Sequence, residues 1–442
     1  MTIHEAHKGL HPEIREAIRN SVLSAVPLWN SLPPTDLWRI ERPTGAGGSE
    51  ISLEPKRGVK AFIAMSRALA SEPDFIAARD LVLKLQPELS GWIGSSQGGV
   101  ALQFDSVVIN LVAQLEKHAP DQPGKALEEL LDELDNLLRT RRVRFSVLAP
   151  LQGVIIDSFT EVVVLGPSVV LRCLRDAEIE ELCSNDVLAP TLAPRFGGLL
   201  VALEASFESS LFLRASEMNQ GLQRDGIDAA LRAIDSAQCV LHSFKPGAAR
   251  IVFEAIRPHA RALPGLGGSY LIPPSSMLAA AYPLEKRDIA ELERFAKAYT
   301  DVQLPELKLA ASRLRDSELR PSPRDAIVDA FVGIEALLNP FSDGELSFRL
   351  AMNYSTFGPV EERHARYRKL RDLYKVRNRI VHGAKEGDVH KVDGQTYPLY
   401  EISQMSKALL REVIKGFVDD QALRSLPALS AAFWEDRHFR TP

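Results

Sequence analysis

The last third of the chain constrains the fold most, because six stretches with helical spacing of apolar residues follow one another there across short turns. The six predicted helices cover residues 285–300, 306–319, 325–339, 345–357, 360–382 and 398–420. Consecutive helices with short connections pack most economically as an antiparallel bundle. We therefore predict a C-terminal antiparallel helical bundle over residues 283–442.

The first two thirds of the chain have a different texture. Residues 1–140 are predicted to be mainly helical, with a loop rich in proline and glycine over 29–48. Short β-branched runs begin at Arg141. They predict strands at 143–148, 154–156, 162–165, 169–174, 199–205 and 249–256, with helices at 176–182 and 226–244. The expected class is α+β, mainly α, in three parts: a helical region 1–140, a β-rich unit 141–282 that is a candidate sensor, and the bundle.

Composition narrows the function classes. The 442 residues are 45% hydrophobic and 25% charged, which is typical of a globular protein able to bury a core. Cys173, Cys183 and Cys239 are far apart and form no C-x-x-C, so neither a disulfide framework nor a zinc site is expected. The sequence has no H-E-x-x-H motif and no other tight cluster of metal ligands, so neither a metal nor a cofactor is predicted. The charged N-terminus and the lack of a long apolar run predict a cytoplasmic protein without a membrane segment.

The segment 361–385 concentrates positive charge within the predicted bundle. It holds nine Lys or Arg and three acidic residues, in a chain whose formal net charge is −5. Any binding of nucleic acid must therefore come from a local patch, and this helix supplies one. Gly383 stands where a left-handed glycine would end the helix.

Arg377 and His382, near the end of this helix, are suited to phosphate chemistry. Histidine can take and give a proton near neutral pH, and the arginine guanidinium matches phosphate geometry. Five helical steps place them about 140° apart, so they converge only if His382 bends back or if a second helix brings its own pair. The open alternative is a solvated basic helix whose last carbonyls are capped by His382.

Three short motifs occur in order: GIEALL at 333–338, ELSFRLA at 345–351 and RNRIVHG at 377–383. Together they resemble the Apea-like family of the HEPN superfamily, over about residues 320–426. The resemblance implies a HEPN-type bundle and a metal-independent endoribonuclease. The reaction would be attack of an RNA 2′-hydroxyl on the adjacent phosphate, leaving a 2′,3′-cyclic phosphate. The family also implies prokaryotic defence against phage.

The resemblance assigns roles to individual residues. His382 would move protons, Arg377 would hold the phosphate, and Asn378 would orient the pair. The predicted grip on the RNA backbone comes from Arg366, Lys369, Lys375 and Arg379. Because the reaction needs one base and one acid, and each chain offers one motif histidine, we expect a homodimer or higher even oligomer with a composite site. Leu370, Tyr374 and Ile380 are the expected apolar contacts of that dimer.

Several alternatives remain open from the sequence. Glu335 lies in an otherwise apolar helix; it either orients Arg377 or Arg379 or belongs to a structural network, which we favour. The chain as a whole is alternatively a non-catalytic HEPN-fold protein that binds RNA or a ligand, or a scaffold. In a third reading, residues 1–285 sense a nucleotide or other ligand. On the nuclease hypothesis, that region would respond to a phage-derived trigger.

Overall fold

The structure is a computed structural model in which the chain forms two compact units. Unit 1 comprises Met1–Pro150, Leu174–Arg232 and Phe253–Ile272, and unit 2 comprises Leu151–Cys173, Ala233–Val252 and Pro273–Pro442. The described residues are 9–33, 36–44, 48–56, 59–90, 92–95, 98–101, 104–118, 122–156, 162–175, 178, 201–211, 225–251, 253–263, 268–271, 281–338, 346–383, 389–420, 434 and 438. Compactness does not establish independent folding, so the three-part division of the chain stays a prediction.

Helices dominate the described residues, with strands concentrated between Arg142 and Leu284. The helices are α1 Pro12–Ser31, α2 Val59–Leu69, α3 Pro73–Leu85, α4 Phe104–His118, α5 Pro123–Thr140, α6 Asp225–Phe244, α7 Ile289–Asp301, α8 Pro305–Leu319, α9 Pro323–Leu338, α10 Leu346–Ser355, α11 Arg363–Val381 and α12 Leu399–Asp419. The strands are β1 Asp36–Thr44, β2 Gly48–Lys56, β3 Trp92–Ser95, β4 Gly98–Ala101, β5 Arg142–Gln152, β6 Val154–Ile156, β7 Val163–Gly166, β8 Val169–Cys173, β9 Val201–Ser210, β10 Arg250–Ile251, β11 Phe253–Pro258, β12 Gly268–Leu271, β13 Tyr282–Leu284, β14 Val389–Val392 and β15 Gln395–Pro398. This mixture confirms the predicted α+β class.

Unit 1 contains helices α1 to α5 and the sheet order β12-β11-β5-β9. Helix α5 shows why the helical prediction for this region succeeded: its leucines at i, i+3 and i+4 are all buried or nearly so. The helix stops at Arg141, whose φ of 53° is left-handed. Of the predicted helix 176–182, only Glu178 lies among the described residues.

Two hairpins interrupt the region that was predicted to be helical. Strand β1 pairs antiparallel with β2, and β3 pairs with β4. The loop predicted over 29–48 is therefore wrong for Asp36–Thr44. Pro43 suggested a loop, but every strand of a two-stranded sheet is an edge strand, and edge strands tolerate proline.

The six helices predicted for the C-terminal third all form, as α7 to α12 in unit 2. Helix α9 packs against α8 and α12, and α10 packs against α11. The stripe Leu307, Ala310, Ala311 and Leu314 explains one of these contacts, since all four side chains are buried on one face of α8. The contacts establish a helical assembly, and its HEPN-type arrangement stays a prediction.

A short hairpin between α11 and α12 interrupts the predicted helical bundle. Strands β14 and β15 pair around Asp393 and Gly394, whose φ angles are 48° and 81°. Consecutive left-handed residues are what a tight two-residue hairpin turn requires, and Asp-Gly is a favoured pair. The hairpin also buries a histidine, His390 of β14.

A buried ionic group lies in the core of unit 2. We call Glu318, Lys407 and Arg411 the core ionic cluster, since their side chains are 4%, 8% and 8% exposed. Lys407 Nζ is 2.8 Å from Glu318 Oε2, and Arg411 pairs with the other oxygen. Burial opposes ionisation of Glu318, yet the two cations hold the pKa of its carboxyl below the ordinary value.

His242 of α6 adjoins the core ionic cluster. Arg411 Nε donates to the His242 carbonyl oxygen at 2.8 Å. The imidazole is fully buried, with Nδ1 3.0 Å from Gly247 O and Nε2 3.2 Å from Ala249 O. Burial lowers the pKa of His242 to about 4. The ring is therefore neutral at pH 7 and belongs to the core.

Candidate functional site

Helix α11 ends as its sequence predicts. His382 caps the helix, and its N–H donates to Asn378 O at 2.9 Å. Gly383 follows with φ +69°, and its N–H reaches Ile380 O at 3.2 Å. The left-handed glycine is confirmed, and it leaves the His382 side chain exposed at the C-terminal end of the helix.

The apolar face of α11 packs into the core of unit 2. Leu370, Leu373, Tyr374 and Val376 are buried, and Tyr374 meets Phe331 edge-on with ring centroids 5.6 Å apart. Leu370 and Tyr374 were therefore wrongly predicted as contacts of a dimer, since neither offers an exposed surface. Their helical spacing is the same for a core and for an interface, and only burial distinguishes the two.

Arg377 lies on the bundle side of α11 and is held by two side chains. Its Nη2 is 3.0 Å from Glu335 Oε1 of α9, and its Nη1 donates to Asn378 Oδ1 at 3.1 Å. The guanidinium carbon also lies 5.5 Å from the centre of the Tyr374 ring. Of the two arginines considered as partners of Glu335, the contact is with Arg377.

Glu335 is half-buried, and its environment works in two directions. Burial raises the pKa of its carboxyl, while Arg377 and the Tyr374 hydroxyl oppose that rise. The carboxylate and the guanidinium thus stabilise each other in a partly desolvated place. This contact fixes the direction of Arg377.

The opposite side of α11 carries a row of exposed polar side chains. We call Arg368, Lys375, Arg379 and His382 the exposed stripe. Their separations of seven, four and three residues place them on one helix face. Acidic residues neutralise part of it: Lys375 Nζ lies 3.1 Å from Asp372 Oδ1, and Arg368 Nη2 lies 3.4 Å from Asp393 Oδ1.

The four residues predicted to grip RNA fall into two environments. Lys369, Lys375 and Arg379 are exposed. Arg366 instead is 14% exposed, pairs with Glu412 of α12 and stacks 4.5 Å from the centre of the Tyr354 ring. Its ion pair lies inside unit 2, whereas the other three side chains are exposed to solvent.

The structure does not bring Arg377 and His382 together within one chain. No hydrogen bond or ion pair joins their side chains in the described part of unit 2, as the angle of about 140° between them leads one to expect. His382 shares its face with Lys375 and Arg379 instead. The sequence already contains the signal for this face, because Lys375 and Arg379 lie seven and three residues before His382.

Neither a family model, nor a curated protein, nor a solved structure matches this chain. The likeness to HEPN proteins therefore rests on the three short motifs. Among the described residues, no group of three His, Cys, Asp or Glu side chains is placed to hold a metal ion. Likewise, no described helix has the length and apolar character needed to cross a membrane.

Proposed function

We propose that the C-terminal end of α11 is the active site of a metal-independent endoribonuclease of the HEPN type. One observation carries the proposal: a directed arginine and an exposed histidine lie within five residues, beside a row of exposed positive charge. Arg377 is directed by Glu335 and Asn378, and His382 is open to solvent. A side chain that binds phosphate needs a defined direction, and one that transfers protons needs access to the substrate.

The reaction would be a transesterification at phosphorus. The RNA 2′-oxygen attacks the adjacent phosphorus, the bond to the 5′-oxygen breaks, and a 2′,3′-cyclic phosphate remains. His382 takes the 2′-hydroxyl proton or gives one to the leaving oxygen, and Arg377 stabilises the added negative charge. Lys369, Lys375 and Arg379 attract the RNA backbone by charge.

The angle between Arg377 and His382 supports a composite site made by two chains. A second copy related by a two-fold axis would bring its own histidine and arginine to the same phosphate. Val381, which is 51% exposed beside His382, replaces Leu370 and Tyr374 as the apolar contact we expect. A mass of about twice the 48.8 kDa chain in solution would agree with this arrangement, and a fully active monomer would contradict it.

The biological setting we propose is defence of a prokaryotic cell against phage. An RNase that acts on cellular RNA needs restraint until infection, and residues 1–285 would supply a sensing region for a phage-derived trigger. This part of the proposal rests on the family resemblance and on the length of that region. Infection of cells that carry the wild-type chain or His382→Ala would test it, because protection should disappear with the variant.

The decisive experiment measures RNA cleavage with EDTA present. Wild type should convert a mixed RNA pool into fragments with 2′,3′-cyclic phosphate ends. His382→Ala and Arg377→Ala should each lower the rate by about a hundredfold or more, the usual loss for an acid–base or charge-stabilising group. His364→Ala is the matched control, since it removes an exposed histidine from the first turn of the same helix. Equal rates for His382→Ala and wild type would overturn the proposal.

A second candidate is a non-catalytic HEPN-fold protein that binds RNA or another ligand, or acts as a scaffold. The ion pair between Arg377 and Glu335 favours it, because an occupied guanidinium has less freedom to receive a phosphate. Salt-dependent RNA binding without any cleavage product would select this candidate.

A further inference from the structure

A cavity of about 380 Å³ lies between helices α2, α3 and α4 of unit 1. A volume of this size suits a small organic molecule. Helix α3 turns one face towards it, since its three lining residues follow one another at intervals of four. The lining side chains that bear on recognition are Ser66 of α2, Phe75, Arg79 and Leu83 of α3, and Phe104 and Asp105 of α4.

The apolar part of the cavity consists of two phenylalanine rings and a leucine. The rings of Phe75 and Phe104 are buried, and their centroids lie 5.2 Å apart. Leu83 is 49% exposed although it lines the cavity. An apolar group bound here would cover the leucine and gain the free energy of removing both surfaces from water. This wall therefore favours a ligand with a large apolar group.

One polar side of the cavity offers only acceptors to a ligand. Asp105 Oδ2 accepts from the Ser66 hydroxyl, and Asp105 Oδ1 accepts from the Ser106 N–H at 2.9 Å. Because a carboxylate cannot donate, Ser66 is the donor in its bond, which leaves its hydroxyl oxygen only lone pairs for a ligand. Both donors to Asp105 are neutral, and no described Lys, Arg or His forms an ion pair with it. An ammonium group would satisfy these acceptors and offset the negative charge.

Arg79 brings the opposite charge to the same cavity. Its Nη2 lies 3.7 Å from Asp80 Oδ1, and the two side chains are 44% and 65% exposed, so this contact is weak. In the part of unit 1 that the structure describes, no ion pair joins Arg79 to Asp105, although both line the cavity. A guanidinium is suited to two parallel hydrogen bonds with a carboxylate. Arg79 can therefore bind an anionic group of a ligand.

The two opposite charges disfavour ligands that carry one sign only. A nucleotide would bring several negative charges close to Asp105 and meet one arginine among the described lining residues. A simple amine would leave Arg79 without a partner, and a simple carboxylic acid would leave Asp105 without one. A zwitterion satisfies both, and an α-amino acid carries its ammonium and its carboxylate on one carbon atom.

We propose that this cavity binds a free α-amino acid with a large apolar side chain. The carboxylate of the amino acid pairs with Arg79, and its ammonium binds Asp105 and the Ser66 hydroxyl oxygen. Its side chain covers Leu83 and the phenylalanine rings. The inference goes beyond the proposed ribonuclease and does not rest on it. It gives the sensing role expected of residues 1–285 a ligand of defined chemistry.

The test is isothermal titration calorimetry of the full chain with L-phenylalanine and two analogues. 2-Phenylethylamine lacks the carboxylate, and 3-phenylpropionate lacks the ammonium. Wild type should bind L-phenylalanine saturably and each analogue about tenfold or more weakly, the loss expected for one charged hydrogen-bonded contact. L-Leucine, with 3-methylbutylamine and 4-methylpentanoate, provides the same comparison for a branched side chain. L-Glutamate, which has no apolar side chain, should not bind.

Two variants assign the charged contacts. Arg79→Gln should reduce the affinity for L-phenylalanine about tenfold or more without weakening that for 2-phenylethylamine, which lacks the group that Arg79 binds. Asp105→Asn should weaken L-phenylalanine in the same way and spare 3-phenylpropionate. Arg67→Gln and Asp74→Asn are the matched controls, because both side chains are exposed and neither lines the cavity. They should bind L-phenylalanine as wild type does.

Three results would overturn the inference. They are a lack of saturable binding of both L-phenylalanine and L-leucine, an analogue that binds as tightly as its parent amino acid, and unchanged affinity in Arg79→Gln. Circular dichroism confirms that each variant is folded. If Asp105→Asn does not fold, the comparison of L-phenylalanine with 3-phenylpropionate on wild type decides the role of the ammonium. None of these measurements involves RNA, so the failure of this inference is distinguishable from the failure of the ribonuclease proposal.

Discussion

The core ionic cluster and the exposed stripe are built from the same kinds of side chain, yet they meet opposite environments. Lys407 and Arg411 are 8% exposed, and both pair with one buried carboxylate. Lys375 and Arg368 are 58% and 46% exposed, and their contacts with Asp372 and Asp393 are open to water. Charges of the first kind have little freedom to bind anything else, whereas charges of the second kind are weakly held and available.

The charge of a basic helix does not by itself show which of its side chains are available to a partner. Arg366 and Arg377 lie between the two extremes, 14% and 18% exposed, each paired with a carboxylate from another helix. The charge of Arg366 is paired with Glu412 and contributes to the fold. Arg377 has a comparable pairing, and whether it also serves a substrate decides between the two candidate functions.

The largest effect is expected in the core ionic cluster. Glu318→Ala leaves Lys407 and Arg411 buried without a counter-charge, so the free energy of unfolding should fall by about 3–5 kcal/mol. Urea unfolding followed by circular dichroism measures this loss. Glu401→Ala, which removes an exposed carboxylate from α12, should change stability by less than about 0.5 kcal/mol. Similar losses for the two variants would mean that burial does not distinguish these charges.

Acid should also destabilise the core around His242 and Glu318. Unfolded histidine has a pKa near 6.5, and burial lowers the pKa of His242 to about 4. Between these values the unfolded chain binds a proton that the folded chain does not, so stability falls as pH falls, by about 3 kcal/mol across the window. The lowered pKa of Glu318 adds a further loss at lower pH, as its carboxylate is protonated.

Two measurements check the acid effect. Urea unfolding of wild type and His242→Asn at several pH values should show a flatter pH dependence in the variant between pH 6.5 and 4. If that variant does not fold, the carbon-bound proton signals of His242 in wild type provide the answer. They should not titrate above about pH 5. Titration near pH 6.5 would contradict the burial argument.

Arg366 and Lys369 provide an intermediate test on a single helix. Arg366→Ala removes the ion pair with Glu412 and the contact with the Tyr354 ring, and should cost about 1–2 kcal/mol of stability. Lys369→Ala should leave stability within about 0.5 kcal/mol of wild type, because Lys369 is exposed. A residue that binds RNA phosphate should, when replaced by alanine, reduce the salt dependence of RNA binding. We expect this reduction for Lys369→Ala and not for Arg366→Ala.

The smallest effect on stability belongs to the exposed stripe, where the effect on binding should be clearest. Lys375→Gln and Arg379→Gln should each keep stability within about 0.5 kcal/mol of wild type. Each should reduce the slope of log affinity against log salt concentration by about 0.7 for every RNA phosphate that the variant no longer neutralises. Fluorescence anisotropy with single-stranded RNA at several salt concentrations measures that slope. An unchanged slope in both variants would place the RNA elsewhere.

Local patterns in the sequence predicted much of the fold. The spacing of apolar residues predicted helices α7 to α12. Gly383 predicted the left-handed backbone that ends α11. Strands β1 and β14 were missed because prolines and polar residues resemble a loop until a partner strand is known. The pairing of Arg366 with Glu412 was also missed, since 46 residues separate them and no local signal links the two. Glu335 was predicted to have a partner because its carboxylate interrupts an apolar stripe.

Helix α12 follows α11 in the chain, so it is synthesised after the motif at the end of α11. A nascent chain that has emerged as far as Gly383 carries Glu335, Arg377 and His382 but none of α12. Helix α9, which carries Glu335, packs against α12, and Arg366 of α11 takes its counter-charge from Glu412. The ribosome therefore delivers the motif before it delivers the helix against which α9 packs and from which Arg366 takes its counter-charge. Helix α9 and Arg366 gain these contacts only after translation has passed Glu412.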